Sequence, residues 1–363
     1  MASVVTSSNP LIVAAEERTR AYVPRVTALL ARDATYATTD VVLKPASEGG
    51  PPTEIYRGKV RDRYDNGAQV CLITTDRLSA FDRQLARIPY KGAVLNGVSR
   101  WWFKQTRHIV KNHVIENEIL TQKAPNVTMG RKCQTFPIEF VMRGYLTGST
   151  GTSIAKNYFA GVRKYCGHDL PDGMRKNQKL PMGNLLTPTT KSDEHDELIS
   201  AEELVSRGMM TQEDWDFCAE KAHELFAFGQ KTALEHGFIL VDTKYEFGRD
   251  VATGEILLID EIHTPDSSRY WIADTYDAAM GEGGSGVPGN IDKEFVRLWF
   301  KERCDPYDDA AVLPTAPNEL LAELSRRYLM LYELITGEQF SFPADEVDTN
   351  TAIQSALAEC GLA

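Results

Sequence analysis

Residues 237–271 read GFILVDTKYEFGRDVATGEILLIDEIHTPDSSRYW, two apolar, β-branched runs interrupted by the charged strings DTKYE and IDE. Both runs have the composition of strands, and RDVATGE between them, with its Asp and Gly, favours a reversal. The segment therefore predicts a β-hairpin. A reversal centred near Val251 sets Asp242 opposite Asp260, Lys244 opposite Leu258 and Glu246 opposite Ile256, because strand side chains alternate faces with a period of two. Carboxylates directly across a strand pair repel one another unless positive charge lies between them, and a divalent cation with Lys244 on the same face would supply it. Two readings stand at this point: a metal-phosphate site, or a polar face turned to solvent.

The chain around it has 363 residues, 42% hydrophobic and 25% charged, enough for two domains with substantial cores. A formal net charge of −11 argues against a general nucleic-acid or anionic-membrane binder and leaves room for a local basic pocket, so the expected partners are small molecules. Six cysteines are spread without a C-x-x-C pair, which fits reduced thiols in a cytoplasmic protein. The early apolar run LIVAA is short and followed by Glu16 and Glu17, unlike a secretory signal. No apolar run approaches the ~20 residues needed to span a bilayer.

Residues 1–54 read as an N-terminal extension, with a short helix interrupted at Pro24 and a linker-like KPASEGGPPTE at the end. Residues 55–137 read as a small sheet-rich domain, with strands in IYRGKVRDRYD and QVCLITTD and a helix in WWFKQTRHIVKN. The strand FPIEFVMR, residues 136–143, runs across the boundary from the small domain, and residues 138–363 make the larger one. Within it, residues 144–200 form a long Gly-, Pro- and Thr-rich stretch of the kind that tends to carry function. A helix begins near Thr211, whose pairing with Asp214 looks like a cap, and Gly237 ends it. NELLAELSRRYLMLYELITG is a late amphipathic helix.

Four further strings combine charge with tight turns. YRGKVRD sets Gly58 beside Lys59 and Arg61, an arrangement that suits a polyphosphate or a basic exposed hairpin. TTDRLSAFDR carries Asp76, Ser79 and Asp82 after a buried strand, where they suit ligand contacts or a helix cap. FPIEFVMRGYLTGST ends a strand at Arg143 and continues into a hydroxyl-rich turn with Ser149, fit for a phosphate or carboxylate. LLTPTTKSDEHDELIS crowds Lys191, Ser192, His195 and Asp196 into one loop, with poor metal spacing, while Asp266 and Arg269 follow the carboxylate strand.

In this order the strings resemble the SAICAR synthase family, with PIEFVMRGYLTGS and LVDTKYEFG as the most specific matches, over about residues 55–340. The resemblance is to the monofunctional fungal type. It implies an α+β, two-domain fold with a kinase-like N-terminal ATP-binding lobe and a larger C-terminal domain. It also implies an ATP- and Mg²⁺-dependent ligase that joins L-aspartate to the carboxylate of carboxyaminoimidazole ribotide (CAIR) through an acyl phosphate, in purine biosynthesis. Carried across, Gly58, Lys59, Val60, Arg61, Glu246 and Asp260 would hold ATP, with Asp242 and Asp260 on Mg²⁺. Asp82, Arg143, Ser149, Lys244, Asp266 and Arg269 would hold CAIR, and Lys191, Ser192, His195 and Asp196 the aspartate. Lys244, Arg143 and Asp266 would act in catalysis. A monomer or small homo-oligomer is expected. The rivals are a kinase-type phosphotransferase, whose H-R-D-x-x-x-x-N and D-F-G strings are absent, and a non-catalytic nucleotide binder.

Overall fold

The computed structural model describes residues 7–81, 83–191, 197–308, 310–343 and 348–363. Two short helices come first, α1 (Pro10–Arg20) and α2 (Val23–Ala31), with Pro24 in the first turn of the second, where the lost N–H has no helical partner anyway. A first sheet follows, from β1 (Glu54–Arg57), β2 (Arg61–Asp65) and β3 (Gln69–Thr74). Next come the hairpin β4 (Arg77–Ala80) and β5 (Arg83–Arg87), helices α3 (Lys91–Gln105) and α4 (Glu118–Lys123), and β6 (Val127–Arg131), which completes the sheet in the order β1-β2-β3-β6. β7 (Cys133–Thr135) and β8 (Ile138–Arg143) lead into a second sheet.

Between β8 and the strand 238–250 the chain forms α5 (Ile154–Phe159), the ribbon β9 (Lys164–Tyr165) and β10 (His168–Asp169), the short strands β11 (Leu185–Leu186) and β12 (Thr189–Thr190), and helices α6 (Ala201–Ser206) and α7 (Gln212–Glu235). The Gly-, Pro- and Thr-rich stretch 144–200 thus has elements and a small core of its own, including Leu146, Ile154, Tyr158 and Leu180. The rest runs β13 (Phe238–Asp250), β14 (Ile256–Ile259), β15 (Ser268–Ile272), α8 (Ala273–Met280), α9 (Glu294–Lys301), α10 (Asn318–Thr336) and α11 (Thr349–Glu359). The architecture is α+β, as expected. Thr211 caps α7, its side chain accepting from Asp214 N at 3.1 Å. Gly337, at φ 72°, stops α10.

The second sheet has seven strands built on β13, which pairs with β7, β8, β14 and β15. A bulge between Leu240 and Asp242, recorded in the pairing with β15, changes the phase of this strand. Before it Phe238 and Leu240 enter the main core; after it Tyr245 and Phe247 do, leaving Asp242, Lys244 and Glu246 on the opposite face. The β13–β14 hairpin exists, but its register differs from expectation. Glu246 pairs with Ile259 and Arg249 with Ile256, so Asp260 falls beyond the end of β14 and Asp242 faces Arg143 and Arg269 instead. The turn is set by Gly254, at φ 75°, whose N–H donates to Asp250 O, and by Asp250 N donating to Glu255 O, which centres the reversal between Ala252 and Thr253.

Helix α3 starts ten residues before the helical stretch read from sequence. Its two glycines lower helix propensity, but Gly92 packs so tightly that a Cβ there would lie 2.3 Å from Thr74 O. Nor are the described residues 7–54 a peripheral segment. Ile12, Ala15 and Val26 join the main core, and residues 36–44 are zipped to α11 and the chain beyond it. Tyr36 Oη and Asp40 N both donate to Asn350 Oδ1 at 2.9 and 2.8 Å, Val42 N donates to Gln354 Oε1 at 2.7 Å, and Lys44 N to Leu362 O at 2.8 Å. Val41 and Leu43 then pack with Ile353 and Leu357 against Tyr64, Ile73 and Val127 of the first sheet.

Leu357 has no exposed surface, so Leu357→Ala is expected to cost ~2–5 kcal/mol through lost transfer energy and a cavity. A urea melt indistinguishable from that of the parent would show that α11 is not part of the core of the first sheet.

Candidate active site

The charged face of β13 organises the site. Strand alternation puts Asp242, Lys244 and Glu246 on one face, and the β8 register puts Arg143 opposite Asp242 and Val141 opposite Lys244, so Glu139 and Arg143 share that face. At its centre Lys244 Nζ lies 2.5 Å from Glu246, 3.0 Å from Glu139 and 3.6 Å from Asp260. Lys191, just after β12, pairs with the other oxygen of Glu246. Arg61, from the start of β2 in the first sheet, pairs with Asp260 and reaches Glu261 at 3.1 Å. One ammonium thus gathers three carboxylates, while a guanidinium from the other sheet closes on the same cluster.

Electrostatics favour the charged forms of Lys244 and Asp260. Burial opposes the Lys244 charge, but Glu139, Glu246 and Asp260 outweigh it and raise the ammonium well above its ordinary range. Burial likewise opposes the Asp260 charge, and Arg61, Lys244 and Lys191 together hold it below the usual carboxylate range. Asp260 itself sits at φ 65°, an uncommon conformation for a residue with a Cβ.

Arg61 is preceded by the turn Gly58–Lys59–Val60 between β1 and β2. Gly58 N donates to Arg61 O at 3.1 Å, and a Cβ on Gly58 would meet that oxygen at 2.4 Å, so the turn needs glycine for close approach. Its carbonyls are braced: Arg77 donates to Gly58 O at 2.9 Å and Lys59 O at 3.3 Å, and Thr75 to Val60 O at 2.6 Å.

At the other end of the β13 face, Arg269 of β15 pairs with Asp242 at 2.5 Å. Arg143, buried, donates to Thr187 Oγ1 at 2.8 Å and Thr152 O at 3.0 Å. Ser149 Oγ donates to Glu294 at 3.0 Å, and Lys301 Nζ to Ser149 O at 3.2 Å, tying α9 to the hydroxyl turn. Asp266, in the loop from β14 to β15, lies 3.0 Å from Lys293 and 3.3 Å from Lys91.

The described ones among the expected site residues fall into groups around Lys244, Arg269 and Asp266, and one expectation is corrected. Asp242 and Asp260 do not face each other: Asp242 is committed to Arg269, and the carboxylates that share an ammonium with Asp260 are Glu246 and Glu139. Asp82, Ser192, His195 and Asp196 lie outside the described residues. Sequence reading missed Glu139, Glu261, Lys91, Lys293 and Glu294. Glu139 was within reach, since it stands four residues before Arg143 on one strand and so on the same face. Among the described residues no group of three or more His, Cys, Asp or Glu is arranged to hold a metal. A magnesium ion, however, is often held by only one or two carboxylates together with substrate phosphates, and Glu246 with Asp260 fits that pattern.

With this geometry in hand, comparison with known proteins is specific. The family model described as SAICAR synthetase matches residues 54–314. The chain is 56% identical over 298 residues to the phosphoribosylaminoimidazole-succinocarboxamide synthase of Legionella pneumophila strain Paris, spanning 82% of this chain and 92% of that one. It is 58% identical over 283 residues to the chloroplastic enzyme of the same name from Arabidopsis thaliana, spanning 78% and 66%. A solved structure described as SAICAR-synthase from Saccharomyces cerevisiae complexed with SAICAR superposes with a TM-score of 0.66 at 30% identity, covering 83% of this chain and all of that one.

Behind the site, Tyr245 from the dry face of β13 is hydrogen-bonded to His263 at 2.5 Å, and burial pushes this histidine down to about 3 and His113 to about 4. A histidine with a depressed folded pKa is neutral when folded and takes up its proton only on unfolding. Its contribution to stability is full above about 6.5 and is lost as pH falls from there toward the folded pKa. Asp76 and Asp292, raised by burial to about 6, act in the opposite sense over the same range, so the test is the difference in stability between the parent and a folded His113→Gln variant: between pH 7 and 5 the parent should lose stability relative to the variant, by up to roughly 1.4 kcal/mol per pH unit, in urea unfolding. A difference that stays constant over that range would contradict neutral burial of His113.

Proposed function

The chain belongs to the SAICAR synthetase family, and on that premise we propose how its residues perform the ATP-dependent ligation of L-aspartate to CAIR. A carboxylate is a poor electrophile and oxide a poor leaving group. Transfer of the ATP γ-phosphoryl group to one carboxylate oxygen of CAIR releases ADP and gives an acyl phosphate; the aspartate amine then attacks the acyl carbon and phosphate departs with that oxygen. The difficulty is electrostatic, because three anions must meet. The observation that carries the reading is the cluster around Lys244, where Glu139, Glu246 and Asp260 meet Lys191 and Arg61, the residue that follows a braced glycine turn.

In this reading Gly58, Lys59, Val60 and Arg61 cover the ATP phosphates, with residues 132–139 beside the adenine. Lys244 neutralises charge where the phosphoryl group and the ribotide carboxylate meet. Arg143, Ser149 and Arg269 hold the ribotide phosphate, with Asp242 orienting Arg269 at 2.5 Å. Asp82 and Asp266 accept from the aminoimidazole or ribose. Lys191, Ser192, His195 and Asp196 recognise aspartate, and the contact of Lys191 with Glu246 supports a loop that starts at the cluster. Glu246 and Asp260 are the residues that would hold Mg²⁺, which when bound would offset phosphate charge. The enzyme acts on these small molecules as a monomer or small homo-oligomer in the cytoplasm; all six cysteines are free, and among the described residues no helix is long and apolar enough to cross a membrane. Residues 55–137 and 138–363 would be its two domains, with ATP between them.

With ATP, Mg²⁺, CAIR and L-aspartate the purified protein should release ADP only when both CAIR and aspartate are present, and ADP release that ignores either one would overturn the reading. Asp260→Asn should keep the fold and lose on the order of 10²–10³ in kcat/KM for ATP-Mg²⁺. Undiminished activity across a Mg²⁺ titration would remove Asp260 from the metal.

A further inference from the structure

Lys91 is the first residue of α3, follows Tyr90 in the left-handed region at φ 64°, and has no exposed surface. This is a costly place for an ammonium. Burial strips its hydration, and the helix N-terminus carries the positive end of the backbone dipole. A second ammonium, Lys293, shares the same carboxylate, with Asp266 3.3 Å from Lys91 and 3.0 Å from Lys293. Among the described residues Lys91 Nζ has no well-formed hydrogen bond, so the ion pair to Asp266 is its compensation. Burial pushes its pKa down to about 8 even though Asp266 opposes the shift.

The fold gains little from this arrangement. A buried ion pair seldom outperforms an apolar side chain of the same size, and here one carboxylate is shared by two cations. What the arrangement does fix is Asp266. Lys91 from α3 and Lys293 from the segment before α9 approach it, Tyr328 of α10 donates at 3.4 Å, and Lys293 also donates to Ser79 O at 3.1 Å. Although burial works against its charge, Lys293 and Lys91 hold Asp266 below the usual carboxylate range, so it stays an acceptor only. Asp266 lies on the short connection that also carries Asp260 and leads to Arg269, and so it is anchored between the two ends of the β13 face.

Resting on the ligase reading above, we propose that Lys91 is a positioning residue for the ribotide: it clamps Asp266, with Lys293, in one charged orientation that accepts from the amino or hydroxyl groups of an aminoimidazole ribotide. Stability is given up at this point for a fixed acceptor, as strained functional sites commonly require. The test is steady-state kinetics on Lys91→Met, which keeps the length and removes the charge, with Lys293→Met as a second variant at the less buried cation.

Both variants are expected to raise the KM for CAIR tenfold or more while the KM values for ATP-Mg²⁺ and aspartate stay within twofold. Lys91→Met should also unfold at the same temperature as the parent or higher, an outcome a merely structural salt bridge would not give. A CAIR KM within twofold of the parent in either folded variant overturns the inference and leaves the ligase reading standing. So does a lowered unfolding midpoint with all three KM values rising together. A parent protein that makes no product from CAIR fails the ligase reading itself, and this inference with it.

Discussion

One strand, dry on one face and charged on the other, sets the geometry of the site. β13 runs 13 residues through the middle of the larger sheet, with the side chains of Tyr245 and Phe247 in the main core and those of Asp242, Lys244 and Glu246 on the far side. A strand advances about 3.3 Å per residue, so Asp242 and Glu246 are roughly 13 Å apart along one rigid edge. That separation divides the site into an arginine end, with Arg143 and Arg269, and a carboxylate-lysine end, with Glu139, Glu246, Asp260 and Lys244. The bulge at Leu240/Asp242 makes this possible. Without the change of phase, the residues continuing the Phe238 and Leu240 face would drive Asp242 and Lys244 into the core.

The connection from β14 to β15 completes what the strand begins. Asp260 and His263 both adopt positive φ, at 65° and 51°, and neither is a glycine. The surroundings hold them there: Tyr270 Oη donates to His263 O at 2.6 Å, the His263 ring meets Tyr245, and its close packing leaves no room for a Cβ on Gly229, which would lie 2.4 Å from the ring. Strain of this kind persists only where packing over-determines it, and it places Asp260, Glu261 and Asp266 on the charged side of a short connection. The dry face of β13 therefore fixes the loop that furnishes part of the wet one. Arg61 adds the smaller sheet to the same cluster, so phosphate binding there would couple to how the two sheets close.

Much of this was legible in the sequence, for reasons that also mark where reading failed. Alternation in FILVDTKYEF and PIEFVMR revealed the strands and the shared face of Lys244 and Glu246, because period-two patterning is a direct consequence of the backbone. The register was not legible. RDVATGE offers several centres for a reversal, and the choice fell to Gly254 and the Asp250–Glu255 bond, a shift that carries Asp260 past the strand end and leaves Asp242 to the arginines. The start of α3 was hidden by glycines that serve close packing, Gly92 against Thr74 and Gly97 against the Tyr332 ring, and Lys91 beside Asp266 and Lys293 depends on contacts across long stretches of chain. Residues 36–44 were read only as part of an N-terminal extension because their partner, α11, lies at the far end of the sequence.

The central claim is that the charged face of β13 brings a nucleotide and a carboxylate together so that phosphoryl transfer activates the carboxylate for the amine. Isotope tracing tests it most directly. CAIR labelled with ¹⁸O in its carboxylate, turned over with ATP and L-aspartate, should transfer one ¹⁸O to the released inorganic phosphate for each amide formed. Phosphate free of label, with amide formed at the same rate, would contradict the account.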